Sequence, residues 1–161
     1  MTSKKYDFTG KVALVTGSSG GIGGAISIQF ATCGAKVVIT GHEAKDVEKM
    51  ADQIEMLTGE RPLSLVGNLA DDAFAEELVR QTIATYGRID VLVNNAGRLC
   101  ADGTFNDPEL MDKFDQLMAL NVRSVVKMTH ICVPHLEKTK GCIVNTASIA
   151  GFNPIVNSVY S

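Results

Sequence analysis

Three glycines at fixed intervals, Gly17, Gly21 and Gly23, stand in the pattern T-G-x-x-x-G-x-G within KVALVTGSSGGIGGAIS, residues 11 to 27. They directly follow the apolar run Val12, Ala13, Leu14, Val15 and precede residues with helical spacing. Glycine at such a junction clears side chains away, so that backbone N–H groups and the N-terminus of the next helix can approach an anion. The chemistry that suits this stretch is the holding of a nucleotide's phosphates. Metal chemistry has no comparable support. Cys33, Cys100, Cys132 and Cys142 are far apart and form neither a C-x-x-C pair nor a zinc spacing with His42, His130 or His135. The cysteines read as buried free thiols of a reducing compartment, and His130 and His135 as partly buried structural side chains near a helix. No metal is expected.

The elements that must position the glycines alternate along the chain. Strands are expected at 12–16, 36–40, 62–67, 89–97 and 141–148, where short apolar runs rich in β-branched residues end in turn residues. Helices are expected at 23–34, at about 43–58 with Val47, Met50, Ala51, Ile54 and Leu57 on one face, and at 72–87. A longer helical segment is expected from about 108 to about 133, carrying Leu110, Phe114, Leu117 and Leu120. Continuously apolar strands are buried on both faces, as in a parallel sheet covered by helices. The order predicts an α/β fold, a doubly wound parallel sheet with the glycine turn at the end of its first strand.

With 161 residues and a formal charge of −3, the chain is about one domain in size and lacks the basic stripe of a nucleic-acid binder. Its opening residues, MTSKKYDFTGK, are polar, unlike a signal peptide, and no later run approaches a membrane span. The composition reads as that of a soluble cytoplasmic protein with no membrane or nucleic-acid partner.

Four motifs then stand in order: TGSSGGIG after the first strand, NNAG (94–97) after the fourth, Asn121 in the following helix, and IVNTAS with Tyr160 downstream. Together they resemble the short-chain dehydrogenase/reductase family, and the resemblance runs over essentially the whole chain. It implies a single NAD(P)-binding Rossmann domain over residues 1–161. It also implies an oxidoreductase that passes a hydride between nicotinamide and a small alcohol or carbonyl substrate. By position, Tyr160 matches the family's acid/base, Ser148 the residue that hydrogen-bonds the substrate oxygen, and Asn121 the helix asparagine that holds a water of the proton relay. The roles are physically coherent, because a phenol can donate a proton, and a hydroxyl can stabilise the charge, as hydride reaches a carbonyl carbon. The family's lysine, four residues beyond the tyrosine, lowers the phenol's pKa from about 10. That position falls past Ser161, so the sequence is expected to be an N-terminal fragment whose C-terminal strands and helices are missing and whose full-length form is a homo-oligomer.

The resemblance also implies a cofactor-binding set: Gly17, Ser18, Ser19, Gly21, Ile22 and Gly23 in the loop; Gly41 and His42 after the second strand; Asn68 and Leu69 after the third; Asn94, Ala96, Gly97 and Tyr160 beyond. An acid at the end of the second strand would bind a ribose 2′-hydroxyl and repel a 2′-phosphate. Gly41 has no carboxylate, which favours NADP(H), with His42 and Ser18 as 2′-phosphate partners. Two other readings use the same residues: a truncated, non-catalytic dinucleotide-binding module, and a methyltransferase with a similar glycine loop. The second is disfavoured by NNAG together with Ser148 and Tyr160.

Overall fold

The computed structural model describes residues 6–99 and 105–149. Its elements are β1 (Val12–Val15), α1 (Gly21–Thr32), β2 (Lys36–Gly41), α2 (Ala44–Thr58), β3 (Leu63–Val66), α3 (Asp72–Tyr86), β4 (Val91–Asn94), α4 (Leu110–Met118), a π-helical turn (Ala119–Arg123), α5 (Ser124–Thr139) and β5 (Cys142–Asn145). All strand pairs are parallel, in the order β3-β2-β1-β4-β5. This is the doubly wound Rossmann arrangement, and the order reverses direction at β1, so a crevice opens beyond the C-terminal ends of β1 and β4.

Successive strand residues point to opposite faces, and the central strands are apolar at every position because both faces are covered. Val12 and Leu14 join Val38, Leu92, Leu78, Met128, Cys132 and Leu136 on the face covered by α3 and α5. Ala13 and Val15 join Val37, Ile39, Val91, Val93, Ala31, Val47, Ala51 and Ile54 on the opposite face, which α1 and α2 cover. Burial on both faces does not extend to the outer strands. β3 is only partly buried and β5 is mostly exposed, with Val144 at 47 %.

Several boundaries differ from the sequence reading. The helix α1 begins at Gly21, so the glycine loop supplies its first turn. β4 stops at Asn94 because the next residues turn to bond with Thr16 and Gly17. The helical segment continues past Pro134 to Thr139, since a proline there removes one hydrogen bond without removing the packing of Cys132 and Leu136. Of Leu110, Phe114, Leu117 and Leu120, only Leu117 is buried; on α2, Leu57 is 55 % exposed. His130 is exposed rather than partly buried. Cys33 and Cys132 are buried free thiols, and burial pushes the Cys132 thiol up to about 12. Cys142 is exposed, and Cys100 lies outside the described residues.

At the opposite end of the strands from the crevice, Asp90 ties the segment before β4 to the start of β1. Its buried carboxylate accepts hydrogen bonds from Arg88 (2.8 and 2.6 Å), Val12 N–H (3.0 Å) and Lys11 (3.2 Å). Burial alone would raise its pKa, but these donors outweigh burial and hold it below the ordinary carboxylate range. A depressed folded-state pKa gives stability that is present above the unfolded value and lost as pH falls through the folded one. Asp90→Asn is therefore expected to lower stability by about 2 kcal/mol at pH 7. Thermal unfolding should show the gap between variant and wild type closing below about pH 4. A gap independent of pH would place the effect elsewhere.

Candidate active site

The crevice is built around one threonine hydroxyl. Thr16 Oγ1 accepts from the Asn95 and Ala96 N–H groups, both at 3.0 Å, and lies 3.3 Å from the Val93 carbonyl, to which it donates. Asn95 answers with its side chain: Nδ2 donates to the Thr16 carbonyl (3.0 Å) and the Gly17 carbonyl (3.1 Å). The two turns are thus laced face to face, and the space between them excludes side chains. An ideal Cβ on Gly17 would lie 2.7 Å from Ala96 Cα, and one on Gly23 would lie 2.4 Å from both the Gly17 carbonyl and Asn95 Nδ2. Thr16 and Asn95 organise the site and were not singled out in the sequence. The signal was present in the threonine that opens T-G-x-x-x-G-x-G and in the second asparagine of NNAG.

Gly21 has open space around it and is required by its backbone, at φ +54°. No side chain caps the start of α1, and its first turn holds no acidic residue. α3, by contrast, is capped by Asp71, which accepts from Ala73 N–H at 2.9 Å. The N-terminal dipole of α1 is left for an external anion, and the exposed Ile22 flanks it.

On the β2 side, a Cβ on Gly41 would lie 2.4 Å from Ser19 Oγ. Gly41 is therefore glycine because the loop packs on it, as well as lacking a carboxylate. His42 is exposed, with Nε2 3.7 Å from Glu43 Oε1. The expectation that Ser18 offers its hydroxyl to a 2′-phosphate needs correcting. Ser18 is fully buried, its Oγ donates to the Val15 carbonyl (2.6 Å) and accepts from Thr40 N–H (2.9 Å), and its own N–H donates to the Thr40 carbonyl. It clamps β1 to β2. After β3, Asn68 is exposed with Oδ1 accepting from Ala70 N–H (3.0 Å), and the Leu69 side chain is buried in the core.

On the β5 side, Asn94 holds the strands in register. Its Nδ2 donates to Asn145 Oδ1 (2.9 Å) and Thr129 Oγ1 (3.3 Å), while its carbonyl accepts from Thr146 N–H (2.9 Å). Asn94 Oδ1 is buried without a partner among the described residues. Thr146 Oγ1 reaches Asn95 Oδ1 at 3.4 Å, and Ser148, exposed, follows two residues later.

Asn121 sits in the π-helical turn, a local widening of the helix that recurs at functional sites. Its amide grips the main chain beyond NNAG on both sides, with Oδ1 accepting from Arg98 N–H (3.0 Å) and Nδ2 donating to the Arg98 carbonyl (2.8 Å). A Cβ on Gly97 would lie 3.3 Å from Asn121 Oδ1. Glycine loop, NNAG, Asn121 and the Ser148 segment therefore meet at one end of the sheet. Tyr160 lies outside the described residues. Among the described residues no group of His, Cys, Asp and Glu is placed to hold a metal, and no helix is long and apolar enough to cross a membrane.

A parallel, doubly wound sheet with a glycine turn at its switch point defines a protein of the dinucleotide-binding Rossmann class. The chain belongs to the short chain dehydrogenase family, whose model matches residues 11–161. It is 37 % identical over 146 residues to an uncharacterized oxidoreductase of Thermotoga maritima, covering 90 % of this chain and 56 % of that protein. It is similar to a solved 7α-hydroxysteroid dehydrogenase complexed with NADH and 7-oxo glycochenodeoxycholic acid, at 32 % identity and TM-score 0.86, covering 94 % of this chain and 58 % of that one. It is also similar to L-sorbose reductase from Gluconobacter frateurii complexed with NADPH and L-sorbose, at 28 % identity and TM-score 0.90, covering 98 % and 59 %. The chain spans little more than half the length of these relatives.

Proposed function

We propose that the protein is an NAD(P)-dependent oxidoreductase that transfers a hydride between nicotinamide and an alcohol or carbonyl carbon. The observation that carries this reading is the cradle of bare backbone between Gly17, Gly23 and Ala96, backed by an uncapped helix N-terminus. That cradle fits a dinucleotide: Gly21, Ile22 and Gly23 would face its pyrophosphate, Asn68 and Leu69 its adenine end, and Ala96 and Gly97 its nicotinamide ribose. The cofactor, when bound, supplies or accepts the hydride. Tyr160 takes the hydroxyl proton as the alcohol is oxidised and returns it in reduction, and the Ser148 hydroxyl bonds the substrate oxygen. The Asn121 side chain is engaged at both ends with Arg98, so its relay water would rest on its main-chain carbonyl. Titration of the purified protein with NADPH and NADH, followed by assays on aldehydes, ketones and alcohols, tests the reading. Absence of binding to either nucleotide would overturn it.

The preferred cofactor is NADP(H), because Gly41 carries no carboxylate and the exposed His42 is within reach of a 2′-phosphate at the end of β2. Glu43, 3.7 Å from His42, competes for the imidazole. His42→Ala is expected to lower the preference for NADPH over NADH by about tenfold, and Glu43→Gln to raise it. Paired dissociation constants for the two nucleotides check this. A ratio unmoved by either change would remove His42 from recognition. An apolar stripe along α4, the π-helical turn and the start of α5, Met111, Phe114, Met118, Val122 and Val126, is exposed and supports a homo-oligomer.

A further inference from the structure

Four of the five arginines in this chain are neutralised by carboxylates. Arg61 is bound by Glu48, Asp52 and Glu55; Arg80 by Glu77; Arg88 by Asp90; Arg123 by Asp72. Arg98 alone has no carboxylate partner among the described residues. Its Nη2 donates instead to a neutral acceptor, Gln116 Oε1 on α4, at 2.8 Å. An amide oxygen orients a guanidinium without cancelling its charge, and among the described residues no carboxylate takes the other N–H groups of the fork, whose geometry suits a planar anion. Arg98 is exposed.

The place of this cation matters as much as its charge. Arg98 follows Gly97 directly, and its main-chain N–H and carbonyl are both held by the Asn121 amide. Its main chain therefore touches the residue assigned to the proton relay, while its guanidinium reaches Gln116 on α4. It stands on the β4 side of β1, whereas the end of β2, with Gly41 and His42, lies on the other side. An anion bound by Arg98 is thus separate from a 2′-phosphate read at β2. The neighbouring Leu99 is 63 % exposed and adds an apolar surface.

We propose that Arg98 is the anion-recognising residue of the substrate site, and that the substrate is a carbonyl or hydroxy compound bearing a carboxylate. This rests on the oxidoreductase reading above and names its substrate class. The carboxylate pairs with the open edge of the guanidinium, and Gln116 holds the fork while the reacting carbon lies toward Asn121. Leu99 covers the apolar part of the chain between the two groups.

The test uses the protein at its full natural length, NADPH, and a series of keto acids of increasing chain length, each compared with its own methyl ester. Wild type is expected to favour at least one acid over its ester by about tenfold in kcat/KM, since a charge-assisted hydrogen bond is lost in the ester. In Arg98→Ala that ratio falls to about one, and in Arg98→Lys part of it returns. Calorimetric titration of the NADP⁺ complex with the matching hydroxy acid gives a second readout, in which Arg98→Ala loses the binding that wild type has. Equal turnover of every acid and its ester by wild type overturns the proposal. So does an acid preference that survives Arg98→Ala, or an Arg98→Ala effect confined to NADPH against NADH. Absence of nucleotide binding strikes the oxidoreductase reading itself, whereas nucleotide binding and ester turnover without acid preference strike only the role of Arg98.

Discussion

Gly23→Ala is expected to raise the dissociation constant for NADPH by about a hundredfold, which corresponds to roughly 3 kcal/mol. The new methyl would lie 2.4 Å from the Gly17 carbonyl and 2.4 Å from Asn95 Nδ2. Neither atom gives way cheaply. The carbonyl belongs to the loop itself, and Asn95 Nδ2 is held by the Thr16 and Gly17 carbonyls. The glycine loop and the NNAG turn must therefore part, and the backbone that should face the pyrophosphate moves with them. Gly59→Ala serves as the control. Gly59 also has a left-handed backbone, φ +77°, but its Cβ would meet nothing within 4 Å. It should cost about 1 kcal/mol of stability and leave nucleotide affinity as it was. Fluorescence titration of both variants, with thermal unfolding alongside, separates the cradle from general strain. A Gly23→Ala protein that binds NADPH like wild type would remove the dinucleotide cradle.

Turnover should respond to a different pair of substitutions. Tyr160→Phe is expected to lower kcat by about a thousandfold, because a positioned proton donor typically contributes between a hundredfold and ten-thousandfold. Asn121→Ala is expected to lower it by about a hundredfold, through loss of position rather than of chemistry. Without the amide, the main chain at Arg98 loses the 3.0 and 2.8 Å bonds that tie NNAG to the π-helical turn. Nucleotide affinity should change little in Tyr160→Phe, because the role proposed for its hydroxyl lies with the proton and not with the phosphates. Single-turnover kinetics with NADPH distinguish the two: Tyr160→Phe slows the chemical step at every pH, and Asn121→Ala also weakens productive binding of substrate. A Tyr160→Phe enzyme with full kcat would remove the acid/base assignment.

Much of this molecule could be read along the chain because its signals are local. The strands β1 and β4 are apolar at every position, which requires cover on both faces, and alternation with helical runs specifies parallel pairing. Glycine at residues 17, 21 and 23 reports a backbone demand that needs no partner in sequence to be recognised. The apolar run of β3 reads like that of β1, yet its lateral place at the edge of the sheet leaves it only partly buried, while β5 stands uncovered as its position after the last helix leads one to expect.

What only the tertiary structure decided are the pairings between distant residues. Thr16 bonds Asn95 and Ala96 some eighty positions away, a link with no periodicity to betray it. Ser18 could be read from sequence as a hydroxyl facing a ligand. In the fold, parallel pairing of β1 with β2 brings Thr40 against it, and the hydroxyl is buried in that contact. Gly41 could be read as a missing carboxylate, yet Ser19 packs where its side chain would be. Arg98 carries no local mark that sets it apart from four other arginines, since neutralisation depends on which carboxylates the fold brings near. Residue type and spacing determine where backbone can be bare and which faces must be covered. Which polar groups remain open to a ligand depends on long-range contacts, because a hydrogen bond or an ion pair is a property of two positions and not of either one.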